Sequence, residues 1–324
     1  MNKYDEDKIL GMFTGASLGD SLGAPHEFKQ EKYGKYTGKL EHPITFVKSY
    51  GHGTFISAVG SVSDDTELLL TLTKSIIDNN GKYNRNDVIM SYLGWANDDR
   101  NFFMGKNTRK LLKGVKTIKG YEARMNKLTD KDNMQSNGAL MRCCVLSLLN
   151  DEDVINDVML TNPNKICVDA ELCYIEVLRN ILFKNITNKD ELLDIIEKKV
   201  KTKEVLDIIK SVRNNELRDV QTNKGWVLHG LYCALYSLNF KSYKEGIDYV
   251  IRLYGDCDSN GIIAGAILGA KYGYQEMCKD DVTKYNIDVL MNYDPNKSDI
   301  PKSELLHPKL FIDYTKQLCK TLNK

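Results

Sequence analysis

Gly11-Met12-Phe13-Thr14-Gly15-Ala16-Ser17-Leu18-Gly19-Asp20-Ser21-Leu22-Gly23 and Gly261-Ile262-Ile263-Ala264-Gly265-Ala266-Ile267-Leu268-Gly269-Ala270-Lys271-Tyr272-Gly273 carry glycine at every fourth position. Residues four apart share one face of an α-helix. Glycine costs about 1 kcal/mol relative to alanine inside a helix, so propensity does not account for two such ribs. A face without side chains admits a second backbone at close range, the logic of GxxxG contacts between membrane helices. Polar residues along both stretches exclude a membrane here, so the ribs predict two central helices in unusually close contact.

Outward from the ribs, helical periodicity dominates. Apolar residues recur at three and four over 67–79, 87–95, 169–183, 191–200, 203–212, 225–238, 243–254 and 261–272. Period-2 alternation is scarce. The segment 36–63 is rich in β-type residues but broken by Gly38, Pro43, Gly51, Gly53 and Gly60, which reads as a long loop with a short hairpin. The fold class expected is all-α: one compact domain over 1–324. Within it, 292–324, with Pro295, Pro301 and Pro308, wraps the body as irregular chain plus a short helix. The Lys/Glu/Asp-rich stretch 184–224 keeps its apolar spacing and reads as peripheral helices with solvated outer faces.

The 324 residues suffice for a substantial core. Forty-five Lys+Arg balance 44 Asp+Glu to a net charge of +1, which removes the general electrostatic signature of a nucleic-acid binder. Eight scattered Cys without CxxC pairs read as reduced core thiols. Neither a signal peptide nor a run near 20 apolar residues is visible, and a cytoplasmic location is expected.

Acidic residues gather beside each rib. Glu27 follows the first; Asp256-Cys257-Asp258-Ser259-Asn260 precedes the second; Ser63-Asp64-Asp65-Thr66-Glu67 opens the apolar helix at Leu68. Each cluster alone is compatible with a helix N-cap. If the helix starts converge, the carboxylates repel one another, which raises their pKa values or calls for a cation. Glu27, Asp64, Asp65, Asp256 and Asp258, with hydroxyls from Ser63, Thr66 and Ser259, form an oxygen-only set suited to Mg²⁺, with Mn²⁺ next. An EF-hand reading fails because Ile267 stands at loop position 12, and a DDxxD reading fails at Leu68. The residues by themselves stop at an all-α protein with a Mg²⁺ site, able to support phosphoester or glycoside hydrolysis.

Six stretches taken together resemble the ADP-ribosylglycohydrolase family, related to the dinitrogenase reductase-activating glycohydrolase. They are GMFTGASLGDSLGAPHE (11–27), SDDTE (63–67), GKNTRKLL (105–112), QSNGALMR (135–142), GWVLHGLYCALYSL (225–238) and YGDCDSNGIIAGAILGAKYG (254–273). The resemblance implies two Mg²⁺ ions at the bottom of a cleft, with Ser63, Asp64, Asp65, Asp256, Asp258 and Ser259 as metal ligands. It places Glu27 beside the substrate ribose as a candidate acid/base, with Asp65 as the rival base. Asn137, Gly138 and Ala139 would present backbone N–H groups to the diphosphate at a helix start. Arg142 would either steer a phosphate or make a buried contact. Asp20 would support the metal site from behind or cap a helix.

His26 and His229 read as packing or surface residues and Trp95 and Trp226 as core, while Phe102, Phe103 and Tyr121 are candidates to stack on a base. Thr161-Asn162-Pro163 stands where Thr-His-Pro is usual, so the contact made by that His does not carry over. The function expected is Mg²⁺-dependent hydrolysis of an ADP-ribosyl N- or O-glycosidic linkage, releasing ADP-ribose from a modified protein side chain or another acceptor. The alternative is a non-catalytic ADP-ribose-binding or crystallin-like protein on the same scaffold; a nucleotide phosphohydrolase is a third reading. The segments 37–62 and 121–134 are expected to cover the cleft, and the chain is expected to be a monomer.

Overall fold

A computed structural model describes residues 4–27, 35–47, 54–101, 104–129 and 131–323. Its organising contact is between α1 (Glu6–Gly23) and α12 (Cys257–Tyr272). A Cβ on Gly11 would collide with the Gly269 carbonyl, one on Gly15 with that of Gly265, and one on Gly19 with that of Gly261. The pairing order makes the helices antiparallel. A Cβ at Gly15 would also stand 3.0 Å from the Gly269 Cα, so backbone lies on backbone along the seam. The fourth glycine of the second rib does a different job: Gly273 ends α12 at φ +80°.

From Gly11 to Gly23 every residue of α1 is buried, polar ones included. A helix covered all round has no solvent face to mark with charge. Its polar side chains are bonded locally: Ser17 Oγ donates to the Phe13 carbonyl at 3.0 Å and Ser21 Oγ to the Ser61 carbonyl at 2.8 Å.

Around this pair lie α2 (Asp64–Asp78), α3 (Arg85–Asn97), α4 (Lys106–Leu112), α5 (Ile118–Asn126), α6 (Asp151–Thr161) and α7 (Lys165–Lys184). Then follow α8 (Lys189–Glu197), α9 (Lys203–Arg213), α10 (Val227–Ser237), α11 (Tyr243–Arg252), α13 (Tyr274–Met277), α14 (Asp281–Asn292) and α15 (Leu310–Leu322). Asn84, Asn150, Asn164, Asn188, Ser242 and Asp280 cap their helices by accepting backbone N–H bonds. The expected hairpin is present: β1 (Thr45–Val47) pairs antiparallel with β2 (Thr54–Ile56). Leu140–Leu148, where a helix start was expected, is a fully buried 3₁₀ run rather than an α-helix.

One apolar cluster draws side chains from Tyr4 to Cys319, and Phe13 stacks on Phe311 at 4.5 Å to bind α15 to α1. The tail before α15 contains 3₁₀ turns at Pro295–Lys297 and Glu304–Leu306. All eight cysteines are free thiols. No helix among the described residues is long and apolar enough to cross a membrane.

Candidate metal centre and substrate cleft

Antiparallel packing of the ribs sets the end of α1 against the start of α12, so Glu27 meets Asp256 and Asp258. One carboxylate oxygen from each of the three falls within 4.8 Å of the others. The third acidic segment arrives through Asp20, a rib residue of α1. Its carboxylate accepts from the backbone N–H groups of Ser63 and Thr66 at 3.1 Å, and from the Thr66 hydroxyl. Asp20 therefore caps α2 from a neighbouring helix and fixes where Asp64 and Asp65 stand. The cap expectation and the support expectation for this residue describe one contact.

The segments enclose a cavity of about 470 Å³ lined by Glu27, Asp64, Asp65, Asp256, Asp258 and Ser259 on the acidic side. Asn137, Gly138, Ser136, Met141, Met104, Gly105, Lys106, Asn107, Thr108, Asn133, Lys224 and Gly225 complete the wall. Both α2 and α12 begin here, and their N-terminal dipole ends favour negative charge. The carboxylates are nonetheless crowded. Burial, then Glu27, Asp65 and Asp256, push Asp258 well above the ordinary carboxylate range. Burial, then Asp64, Asp20 and Asp256, do the same to Asp65, against a hydrogen bond from Ser259. Burial, then Glu67 and Asp20, push Asp64 up to about 7. One Asp65 oxygen is buried with no hydrogen-bond partner. Buried acids arranged this way need protons or a cation, and an all-oxygen donor set with an orphaned oxygen fits a hard divalent ion.

Ser63 and Ala139 are not among the residues that line the cavity. Ser63 Oγ accepts from the Asp65 N–H at 3.2 Å as the N-cap of α2, directly before the lining residues Asp64 and Asp65. Ala139 is 1% exposed and belongs to the core. Asn137 does reach the cavity, but its backbone N–H donates to the Gly225 carbonyl at 2.8 Å and its side-chain amide to Asp256 Oδ2 at 2.8 Å. The N–H of Asn137 expected to face a diphosphate is thus already engaged.

Arg142 makes the buried contact, not the phosphate contact. It pairs with Asp157 and donates to the Tyr92 hydroxyl, Thr161 Oγ1 and the Gly138 carbonyl, bracing the turn from beneath. Asn162, at the usual His position, donates to the carbonyl and hydroxyl of Ser136 at 2.9 and 2.8 Å and so holds part of the wall. Tyr121 is fully buried with its hydroxyl on the Leu160 carbonyl, which removes it as a stacking platform; Phe102 and Phe103 lie outside the described residues. Trp95 is buried as expected, His26 and His229 take the buried rather than the surface alternative, and burial keeps the Cys257 thiol protonated. Lys106 and Lys224, both exposed at the rim, were not singled out from sequence, although Lys106 falls inside the GKNTRKLL stretch. Of the expected covering segments, Asn133 lines the cavity, whereas no described residue of 37–62 does.

The family model for ADP-ribosylglycohydrolase matches residues 1–286. The chain belongs to that family. Among ADP-ribosylglycohydrolase relatives, a protein of Acanthamoeba polyphaga mimivirus, provisionally named an ADP-ribosyl glycohydrolase, is 26% identical over 302 residues, covering 84% of this chain and 89% of its own. The ADP-ribosylarginine hydrolase Tri1 of Pseudomonas putida is 23% identical, covering 86% of this chain and 74% of its own. A solved structure titled as an ADP-ribosylglycohydrolase-related protein complex superposes with a TM-score of 0.64 at 20% identity, covering 88% of this chain and 97% of that one. The all-α class expected from helical periodicity and the ADP-ribosylglycohydrolase fold implied by the resemblance are therefore the fold observed.

Proposed function

We propose that the chain hydrolyses an ADP-ribosyl glycosidic linkage with two Mg²⁺ ions, or Mn²⁺ in their place, held by Asp64, Asp65, Asp256, Asp258, Ser259 and the Ser63 cap. The observation that carries this reading is the convergence of three sequence-distant acidic segments on one cavity. When bound, the ions supply Lewis-acid polarisation and a fixed orientation for a ribose diol.

The chain's own residues do the rest. Glu27 and Asp65, both lining the cavity, are the rival candidates to take the proton of an attacking water and return it to the departing acceptor. The bond to C1″ breaks, water oxygen adds to C1″, and the acceptor leaves with a proton. Neighbouring carboxylates stabilise the oxocarbenium character that develops. Asn137 holds Asp256 in place, and the Asn137–Gly138 turn, braced by Arg142, forms the wall on which the diphosphate would lie, with Ala139 supporting it from the core. Arginine-linked ADP-ribose is the first acceptor to test, because a relative similar over most of this chain is named for that reaction.

The test is turnover of ADP-ribosylated arginine, serine and poly(ADP-ribose) substrates in metal-defined buffer by wild type and Asp258→Asn. Wild type is expected to release free ADP-ribose from at least one, and Asp258→Asn to lose activity by about 10³-fold or more, the scale on which preorganised electrostatics operate. Equal turnover by both chains would refute the assignment. Release of phosphate or AMP would identify a phosphohydrolase, and a folded wild type that binds ADP-ribose without turnover would identify the non-catalytic class.

A further inference from the structure

Glu67 occupies the first turn of α2, next to Asp64 and Asp65 but outside the cavity lining, and it is 2% exposed. Each of its oxygens has a partner. Trp95 Nε1 donates to Oε2 at 2.9 Å, and Lys302 Nζ donates to Oε1. Lys302 also donates to the Val62 carbonyl at 3.2 Å, immediately before the Ser63 cap. Its side chain is only 12% exposed.

Lys302 comes from the tail, beyond residue 286 where the family match ends. The same tail is pinned to the strand leading into α2. Ile56 N–H donates to Asp299 Oδ2 at 2.8 Å, Asp299 N–H to the Ile56 carbonyl at 2.9 Å, and Ala58 N–H to Ser298 Oγ at 2.9 Å. The ammonium is thus delivered to the base of the acidic centre by three main-chain and side-chain ties over a short stretch.

We propose that Lys302 is a positioning residue for the acidic centre: pairing with Glu67 and holding the Val62 carbonyl, it fixes the Ser63–Asp65 helix start so that Asp64 and Asp65 face the cavity as ligands. A buried carboxylate stripped of its partner is strongly unfavourable. Without the ammonium, Glu67 Oε1 loses its ion pair and the Val62 carbonyl its donor, Asp64, Asp65 and Glu67 crowd one helical turn against only the more distant charge of exposed Arg100, and the turn shifts to separate them. This rests on the reading above that the cavity holds divalent cations.

Two effects oppose each other and separate the proposal from simple charge. A bystander cation repels a metal ion, so removing it tightens metal binding; a positioning cation, once removed, weakens it. The experiment is calorimetric titration of the full chain with Mn²⁺ alone, with circular dichroism in EDTA as the check on folding. Lys302→Met is expected to weaken Mn²⁺ binding by roughly 10-fold, the lower end of what loss of an outer partner costs a metal site. Lys302→Arg keeps the wild-type affinity. Lys302→Met combined with Glu67→Gln recovers most of it, because a neutral amide still accepts from Trp95 and needs no counter-charge. Should Lys302→Met not fold, Lys302→Gln carries the comparison and is expected to weaken Mn²⁺ binding in the same direction. Unchanged or tighter Mn²⁺ binding by the folded neutral variant overturns the proposal alone. A wild-type chain that binds no Mn²⁺ overturns the reading of the cavity and this proposal with it.

Discussion

Asp64 shows what crowding does to a single side chain. Its carboxyl is pushed up to about 7 chiefly by burial, with the charges of Glu67 and Asp20 adding to it. In the folded, metal-free protein it holds a proton over a range in which the unfolded chain has released it. Stability therefore falls as pH rises through that window, by at most about 1.4 kcal/mol per pH unit for one proton. His26, His229 and His307 are pushed down by burial and act in the opposite sense, so the comparison must cancel them. Asp64→Asn in EDTA is expected to gain stability relative to wild type as the pH is raised from about 5 to about 8. Denaturant melts at both values check this, and a gap that stays constant or shrinks rejects it. The acidic residues were legible because adjacent carboxylates at two helix starts are an unusual pattern, and their placement followed once the ribs fixed the helices. Lys106 and Lys224 were not, because an exposed lysine among 45 Lys+Arg carries no periodic mark; only the folded chain shows which of them reach the rim.

At the scale of elements, the seam between α1 and α12 does two jobs: it is the tightest contact in the core, and it sets the separation of Glu27 from Asp258. A methyl added at Gly265 would run into the Gly15 carbonyl, and neither backbone has a side chain that could yield. Gly94 in α3 offers the opposite case, since a Cβ there meets nothing within 4 Å. Gly265→Ala is expected to destabilise by about 3 kcal/mol or more, the upper part of the range for overpacking. Gly94→Ala should instead stabilise by about 0.5–1 kcal/mol through lower helix entropy cost. Chemical denaturation of the pair decides it; a neutral Gly265→Ala would mean that the helices do not touch backbone to backbone. Long helices with an apolar stripe were legible within a few residues of their ends. Those missed include α4, which is short, α5, which buries only Tyr121, and α6 and α14, whose buried faces mix polar Asp157, Thr161, Thr283 and Asn286 with the apolar residues; the 3₁₀ run at Leu140–Leu148 is buried on all sides, so no face distinguishes it from an α-helix.

Over the whole molecule, the cavity gathers side chains from residue 27 to residue 259, so the groups that would hold the ions come from both ends of the matched family region. None of these carboxylates is adjacent in an unfolded chain except Asp64 with Asp65 and Asp256 near Asp258, and a cation bound by the folded set has little affinity for the unfolded one. Ion binding must then raise the stability of the entire fold rather than of one loop. At a free concentration 100 times the dissociation constant the gain is about 2.7 kcal/mol, which for a chain of this size moves the midpoint of thermal unfolding by roughly 5 °C. Titrating Mg²⁺ or Mn²⁺ into EDTA-stripped protein should produce that rise as one cooperative transition, EDTA should reverse it, and Asp258→Asn should abolish it while leaving the metal-free melt close to or above that of wild type. The last clause follows from the same crowding: a neutral amide at 258 relieves repulsion from Glu27, Asp65 and Asp256. A wild-type melt insensitive to divalent ions, or an Asp258→Asn chain that responds as fully as wild type, would mean that the three acidic segments meet for some purpose other than holding a cation.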